Sequence, residues 1–240
     1  MRKSISAPSA VPDLLAGRAV RSSTVLWVST VVSVVLYGAA AVALGNPPDG
    51  AADGQAVADW FVANSGHVRV WAWLLTLFAP VLATVASLIR ARLPAPYRDV
   101  YFFGAIAFIV ETAIQSWIWA GLSWHADQLQ PATARVLLDV ASFWGPVLNG
   151  ATITMLAPVV LLALRGKLPR WLGILLAVAL IEQLIETVTI YGQSGFTAPG
   201  GPMNIALGAG LVAIALTALG ITLALRPPVL AGNQPPQVRP

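Results

Sequence analysis

The stretch Trp171-Leu-Gly-Ile-Leu-Leu-Ala-Val-Ala-Leu-Ile-Glu182-Gln183-Leu-Ile-Glu186-Thr-Val-Thr-Ile-Tyr191 decides the fold. It is an apolar run of the length that a helix needs to cross a bilayer, about 20 residues. Yet it contains Glu182, Gln183 and Glu186, and no Lys or Arg. An ionised carboxylate at the bilayer centre costs roughly 2.5–3.5 kcal/mol on insertion scales. These side chains must therefore face a packed interior or a water-filled cavity rather than lipid.

The composition is that of an integral membrane protein. Of the 240 residues, 57% are hydrophobic and only 10% are charged, whereas a soluble domain carries about 25% charged residues. The chain has no cysteine, which excludes disulfides, thiolate metal sites and cysteine nucleophiles. The basic residues are divided among short loops, so we predict no nucleic-acid binding. His67 and His125 are the only histidines and lie at helix ends, so we predict no metal and no cofactor.

The apolar runs predict an all-α bundle of six transmembrane helices, with residues 1–21 as a cytoplasmic tail, 22–226 as the transmembrane domain and 227–240 as a disordered cytoplasmic tail. The first apolar run is longer than the 7–15 residues of a signal-peptide core, so we expect it to be retained. We also expect a separate short amphipathic helix in the outer loop, with Asp53 as its N-cap. Pro131 is placed where a helix starts, and Gly145-Pro146 and Pro158 are expected to break the fourth span. The predicted spans are 23–44, 70–89, 100–122, 136–164, 171–191 and 203–225.

The distribution of Lys and Arg predicts the orientation. Of the 14 Lys and Arg residues, only Arg69 and Arg135 fall on the side that carries the first, third and fifth loops. Cytoplasmic loops carry the excess of positive charge. Both termini are therefore expected in the cytoplasm, with the protein in a bacterial plasma membrane.

Two segments of the chain echo each other. Ala79-Pro80-Val81 precedes Arg90-Ala-Arg-Leu-Pro94, and Ala157-Pro158-Val159 precedes Arg165-Gly-Lys-Leu-Pro169. One interpretation is a duplicated two-helix unit, a device known in transporters. The other is chance similarity between apolar, proline-bearing helices that end in basic turns.

Polar side chains fall at similar depth on three consecutive spans. Glu111 is midway along the third span, about 16 Å from either end, and Gln115 is one turn further on the same face. Glu182, Gln183 and Glu186 are at similar depth on the fifth span, and Asn149 is on the fourth. Burial and mutual repulsion disfavour the charged form of such carboxyls, so we expect at least one to be protonated at neutral pH. Such a group can relay or donate protons, whereas the alternative is packing by interhelical hydrogen bonds of about 0.6 kcal/mol each.

The tryptophans have two interpretations. Trp60, Trp71, Trp73, Trp117 and Trp124 are near one membrane surface, which is typical of an interfacial aromatic belt. Trp119 is two turns beyond Glu111 on the same face, and Trp144 is in the outer half of the fourth span. We predict that these two line an outward-facing pocket for an apolar, weakly polar-tipped molecule.

Three passages, at 51–64 running into 68–93, at 131–139 and at 168–173, carry a family resemblance. They are similar to an uncharacterised family of small multi-pass membrane proteins common in actinobacteria. The resemblance covers most of the chain from residue 51 to residue 225 and implies six helices without an established activity. The Glu182–Glu186 run and the Trp-rich third span are less usual for such proteins, which leaves room for a specialised role.

These observations leave three functional hypotheses. The first is a protein that binds or transports a small lipophilic molecule, with the carboxyls as the polar floor of its pocket. The second is a cofactor-independent isomerase or cyclase for a terpenoid- or sterol-like substrate, with Glu111, Glu182 or Glu186 as general acid and Trp119 or Trp144 stabilising a developing cation. The third is an accessory subunit of a membrane complex. Partners expected are the lipid bilayer, the lipophilic ligand, and a second copy or another membrane subunit. Candidate ligand-binding residues are Gln115, Trp119, Trp144, Asn149 and Gln183.

Overall fold

The structure is a computed structural model that describes the backbone of residues 11–226 and the side chains of residues 22–226. Every regular element in this part of the chain is helical, which confirms the predicted all-α fold. Within it, six helical segments are long and apolar enough to cross a membrane, so the chain is a multi-pass membrane protein. These spans are Ser22–Leu44, Gly54–Arg90, Tyr97–Trp124, Pro131–Leu164, Arg170–Tyr191 and Met203–Leu225.

The α-helices are numbered in chain order. They are α1 (Val11–Leu44), α2 (Gly54–Arg90), α3 (Tyr97–Trp124), α4 (Pro131–Ser142), α5 (Trp144–Leu164), α6 (Arg170–Glu186) and α7 (Ala209–Leu225). Short irregular helices lie between them: 3-10 turns at Ala126–Gln128, Thr187–Tyr191 and Gly195–Thr197, and a π-helix at Met203–Gly208. Helix α1 begins within the predicted N-terminal tail, so residues 11–21 continue the first helix. The rest of that tail, 1–10, and the predicted C-terminal tail, 227–240, lie outside the described residues.

Helix α2 corrects one prediction. The separate amphipathic helix expected in the outer loop is the first four turns of a single helix, Gly54–Arg90, which continues into the membrane. Its buried face, with Val57, Phe61 and Val68, stays in phase with the span, so nothing breaks the helix between them. The predicted N-cap is confirmed, because Asp53 Oδ1 accepts a hydrogen bond of 2.8 Å from the Ala56 N–H.

The fourth span consists of two helices that meet at Phe143. Pro131 starts α4, as predicted. The expected break at Gly145-Pro146 falls just before these residues, and Pro146 is in the first turn of α5. A proline is tolerated there because the first backbone N–H groups of a helix have no intrahelical partner. The second predicted break, at Pro158, does not occur, because α5 continues through this residue.

Two apolar clusters close the ends of the bundle. Helix α1 packs on α2 and α7, α2 on α3, α3 on α5, and α5 on α6. The inner cluster, at the end that carries the basic loops, includes Leu26, Ile89, Leu156, Leu172 and Leu219. The outer cluster joins the first half of α2 to α3 and α4 and includes Val57, Phe61, Trp119 and Leu138. The polar residues of α6 lie between these two clusters.

Arg135 on α4 holds the outer loop in place. Its guanidinium donates hydrogen bonds to the carbonyl oxygens of Asp49 and Ala52, at 3.2 Å and 2.8 Å. It also pairs with Asp139 one turn along α4. Because the other ends of these bonds are backbone atoms of the α1–α2 loop, Arg135 ties that loop to the fourth span.

Candidate functional site

Glu182, Gln183 and Glu186 all point into the bundle and are buried, with exposed fractions of 8%, 3% and 2%. The Gln183 side-chain N–H group donates to Glu182 Oε2 at 2.9 Å and also to Glu186 Oε2. One amide thus bridges two carboxyls on the last turns of α6. These residues, with Asn204 and Thr189, form what we call the carboxyl–amide network.

Asn204 joins this network from the last span. It is on the π-helix Met203–Gly208, and its side-chain amide donates to Glu186 Oε1 and, at 3.2 Å, to Thr189 Oγ1. Its Oδ1 accepts a 3.0 Å hydrogen bond from the Gly200 N–H. Isolated π-helical turns are often found at functional sites. Here the π-turn and the 3-10 turn Thr187–Tyr191 bring two spans together around one carboxyl.

Gly208 makes this approach possible. A Cβ atom at this position would overlap the Glu186 carboxyl and would lie 3.0 Å from Gln183 Nε2. The backbone of the last span can therefore come against the network only if residue 208 has no side chain.

The two carboxyls of the network are not paired with Lys or Arg in the described part of the chain. Among the described residues, the ion pairs involve Asp99 and Asp139, and neither Glu182 nor Glu186 is paired with Lys or Arg. The donors that reach the two carboxyls are neutral amides. A carboxylate in a low-dielectric interior is costly unless it takes up a proton or pairs with a cation.

Two adjacent cavities open beside the network. The inner cavity, of about 100 Å³, lies between α1, α2, α5 and the last two spans, and Gln183, Glu186 and Asn204 form part of its wall. The outer cavity, also about 100 Å³, reaches the outer loops at Pro47, Pro48 and Gly200. Both are lined mainly by apolar groups. Six residues line both cavities: Tyr37, Phe78, Phe108, Trp144, Asn204 and Ala209.

Four of the shared residues are aromatic, and we call Tyr37, Phe78, Phe108 and Trp144 the aromatic junction. The Tyr37 and Phe78 rings are 5.8 Å apart between centroids. These side chains come from four different spans, so the junction forms only in the assembled bundle. It lies next to Asn204, which is hydrogen-bonded to Glu186.

Several buried polar atoms near the cavities have no hydrogen-bond partner within the described part of the chain. They include Asn149 Nδ2 and Trp144 Nε1, from the wall of the inner cavity, and Trp119 Nε1, from the wall of the outer cavity. Glu182 Oε1 is also without a partner. Asn149 is only 2% exposed. Buried donors are nearly always satisfied in native proteins, so these N–H groups are open to a hydrogen bond with water or with another acceptor.

Glu111 is placed apart from the other predicted carboxyls. It is half-buried on α3 and is not among the residues that line either cavity. No hydrogen bond in the described residues joins Glu111 to Glu182 or Glu186, and its Oε2 has no partner. The reason is the packing order: α3 contacts α5, and α5 in turn contacts α6. The carboxyls of the third and fifth spans are at similar predicted depth, but the structure does not bring them together.

Gln115 and Trp119 line the outer cavity instead. Trp119 is 5% exposed and packs against the rings of Trp60, Phe61 and Trp71, with centroid distances of 5.9, 5.6 and 5.5 Å. The tryptophans predicted to form a belt therefore divide into two groups. Trp73, Trp117 and Trp124 are exposed on the bundle surface, whereas Trp60 and Trp71 belong to this internal cluster.

The histidines take no part in the site. His67 and His125 are both exposed, and within the described residues no group of three or more His, Asp or Glu side chains could hold a metal ion.

Sequence reasoning missed Asn204, Thr189 and Tyr37. Asn204 was within the predicted sixth span, and an amide in an otherwise apolar run was a signal that could have identified it. Tyr37 and the hydroxyls of the first span gave no comparable signal, because Ser, Thr and Tyr are common in transmembrane helices. Comparisons of the chain with protein-family models, with curated proteins and with solved structures found no match.

Proposed function

We propose that this membrane protein binds a small lipophilic molecule in the inner cavity, with its polar end toward Glu186 and Asn204. The observation that carries the proposal is a mostly apolar cavity in the middle of the bundle with one polar wall. Ligand sites typically combine an apolar lining with a few polar groups that fix orientation. The proposal depends on the carboxyl–amide network and not on Glu111.

The N–H groups without partners support a ligand that carries a hydrogen-bond acceptor. A buried N–H group that lacks an acceptor costs about 1–3 kcal/mol. Asn149 Nδ2 and Trp144 Nε1 are both in the wall of the inner cavity. A ligand oxygen that accepts from either group removes this cost, so an apolar molecule with an oxygen acceptor suits the cavity.

The outer cavity supplies a route of access. It shares the aromatic junction with the inner cavity and extends to Pro47, Pro48 and Gly200 in the outer loops. A molecule can therefore approach from the side opposite the basic loops. In the predicted orientation this is the outer face of a bacterial plasma membrane.

Benzyl alcohol is a suitable first probe, because it has a small apolar ring and one hydroxyl oxygen. Saturation-transfer NMR of the protein in nanodiscs, with empty nanodiscs as the lipid control, would measure its binding. Ala209→Phe fills the region shared by the two cavities and should abolish the protein-specific signal. Ala206→Phe, at an exposed position of the π-helix that precedes Ala209, is the matched control and should preserve it. Equal signals from both variants, or none from the unaltered protein, would contradict the proposal.

Solvent extraction of the purified protein followed by mass spectrometry would reveal a bound natural molecule. A single lipophilic compound that is lost from Ala209→Phe and kept by Ala206→Phe supports the binding function. Conversion of that compound during incubation with the protein would favour the isomerase or cyclase hypothesis instead.

A further inference from the structure

The Ser and Thr hydroxyl groups around the inner cavity offer acceptors only. There are four of them, from Thr30, Ser33, Thr152 and Thr217. Each donates its proton to a backbone carbonyl of its own helix, at 2.7, 2.8, 3.1 and 2.6 Å respectively. A hydroxyl has one proton to donate. What these groups present to the cavity is therefore the lone pairs of their oxygens.

The carboxyl of Glu186 is an acceptor too, and the amides of Gln183 and Asn204 already donate to it, which leaves Asn149 and Trp144 as the donors of the wall without a partner among the described residues. The Glu186 carboxyl is beside the cavity, Glu182 adjoins it through Gln183, and no Lys or Arg of the described chain pairs with either. The aromatic junction adds ring faces, which carry negative electrostatic potential and attract cations within about 6 Å of the ring centroid. Carboxyl, hydroxyl lone pairs and aromatic rings all favour a positively charged group.

From this we infer that the ligand is a lipophilic organic cation, an amine or quaternary ammonium compound whose positive nitrogen lies between Glu186 and the aromatic junction. The inference deepens the proposed function and rests on it. The nitrogen takes the place of the absent basic partner, and the apolar part fills the cavity. Asn149, which is buried and lacks a partner for its Nδ2, would donate to an oxygen of the same molecule.

A pair of probes that differ only in charge tests this assignment. Phenyltrimethylammonium and tert-butylbenzene have nearly the same shape, and the quaternary nitrogen keeps its charge at every pH. Dissociation constants for both would be measured with the full-length protein in nanodiscs and corrected with empty nanodiscs. We expect the cation to bind about tenfold or more tightly than the neutral probe.

Substitutions distinguish the contribution of the Glu186 carboxylate to binding from the contribution of the apolar cavity. Glu186→Gln should remove most of the preference for the cation and leave binding of tert-butylbenzene nearly unchanged. Glu111→Gln is the matched control, because the same substitution is made in the membrane outside both cavities, and the preference should persist. Phe108→Leu keeps an apolar wall but removes a ring face, so it should weaken cation binding more than neutral binding. It also serves as the second variant if Glu186→Gln does not give a folded protein by size-exclusion chromatography.

The outcomes distinguish the two proposals. Equal affinity for the two probes, unaffected by Glu186→Gln and Phe108→Leu, would overturn the cation assignment and leave the lipophilic site standing. Failure of both probes to bind the folded protein would overturn both proposals.

Discussion

Asn204 donates a hydrogen bond from its side-chain amide to Oε1 of Glu186, and this contact joins the end of α6 to the start of the last span. The two residues are 18 positions apart in the chain, on opposite sides of the α6–α7 loop. Both are almost fully buried. The position of Glu186 beside the inner cavity therefore depends on a residue of another span.

Replacing Asn204 by Leu should destabilise the protein. The substitution leaves Glu186 Oε1, Thr189 Oγ1 and the Gly200 N–H without this partner. The loss of hydrogen bonds to buried groups costs about 1–3 kcal/mol, more for a charged group. A lower apparent unfolding temperature in detergent would show this, while Gln193→Leu, which alters an exposed amide of the preceding loop, should leave it nearly unchanged. Equal unfolding temperatures of the two variants would mean that the Asn204–Glu186 contact does not stabilise the fold.

Two glycines near the network should respond to alanine in opposite directions. Gly208→Ala places a methyl group against the Glu186 carboxyl, and such overpacking typically costs 1–3 kcal/mol. Gly210 has nothing within 4 Å of the same added atom, so alanine there should stabilise the helix by roughly 0.5–1 kcal/mol. Unfolding temperatures of the two variants provide the measurement. Stabilisation by Gly208→Ala would show that the last span is not held against Glu186.

Trp119 should matter far more for stability than Trp117, although both are on α3. Trp119 is packed among Trp60, Phe61 and Trp71, whereas Trp117 is 71% exposed on the bundle surface. Replacement of a buried tryptophan by alanine costs about 3–5 kcal/mol. Unfolding of Trp119→Ala and Trp117→Ala in the same detergent would measure the difference, and similar losses for both would contradict the buried cluster.

The orientation is testable because the chain has no cysteine. Gln193 and Lys167 are both exposed, in loops at opposite ends of the bundle. We expect Gln193→Cys to react with a membrane-impermeant maleimide on intact cells, and Lys167→Cys to react only after permeabilisation. The reverse pattern would place the basic loops outside and turn the outer cavity toward the cytoplasm.

Much of the fold follows from hydropathy, because a run of apolar residues long enough to cross a bilayer has few other stable structures. The six spans are of this kind, whereas the Asp53 cap and the helix start at Pro131 follow from residue preferences at helix N-termini. The length of α2 was not predicted, since the loop composition before Val68 suggested a break where the buried face in fact continues. The orientation, the duplicated unit and the family resemblance stay predictions.

The site was predicted less well than the spans. The depth of a residue in the membrane can be estimated from its position in a span, and Glu111 and Glu182 have similar depths. Which spans are neighbours cannot be estimated in this way, and α5 separates the helices that carry these two residues. The grouping of Glu182, Gln183 and Glu186 is local to one helix, so the sequence was enough for it. Asn204 reaches the network through a π-turn, which no periodicity of the sequence indicates.

The inner and outer apolar clusters hold the bundle together, but Val85 and Val212 of the inner cluster and Phe78 and Trp119 of the outer cluster also form cavity walls. Efforts to make the protein more robust for crystallisation or cryo-electron microscopy should therefore change residues of the clusters that line neither cavity. Substitutions there can raise the melting temperature and leave the middle of the bundle free to admit its ligand.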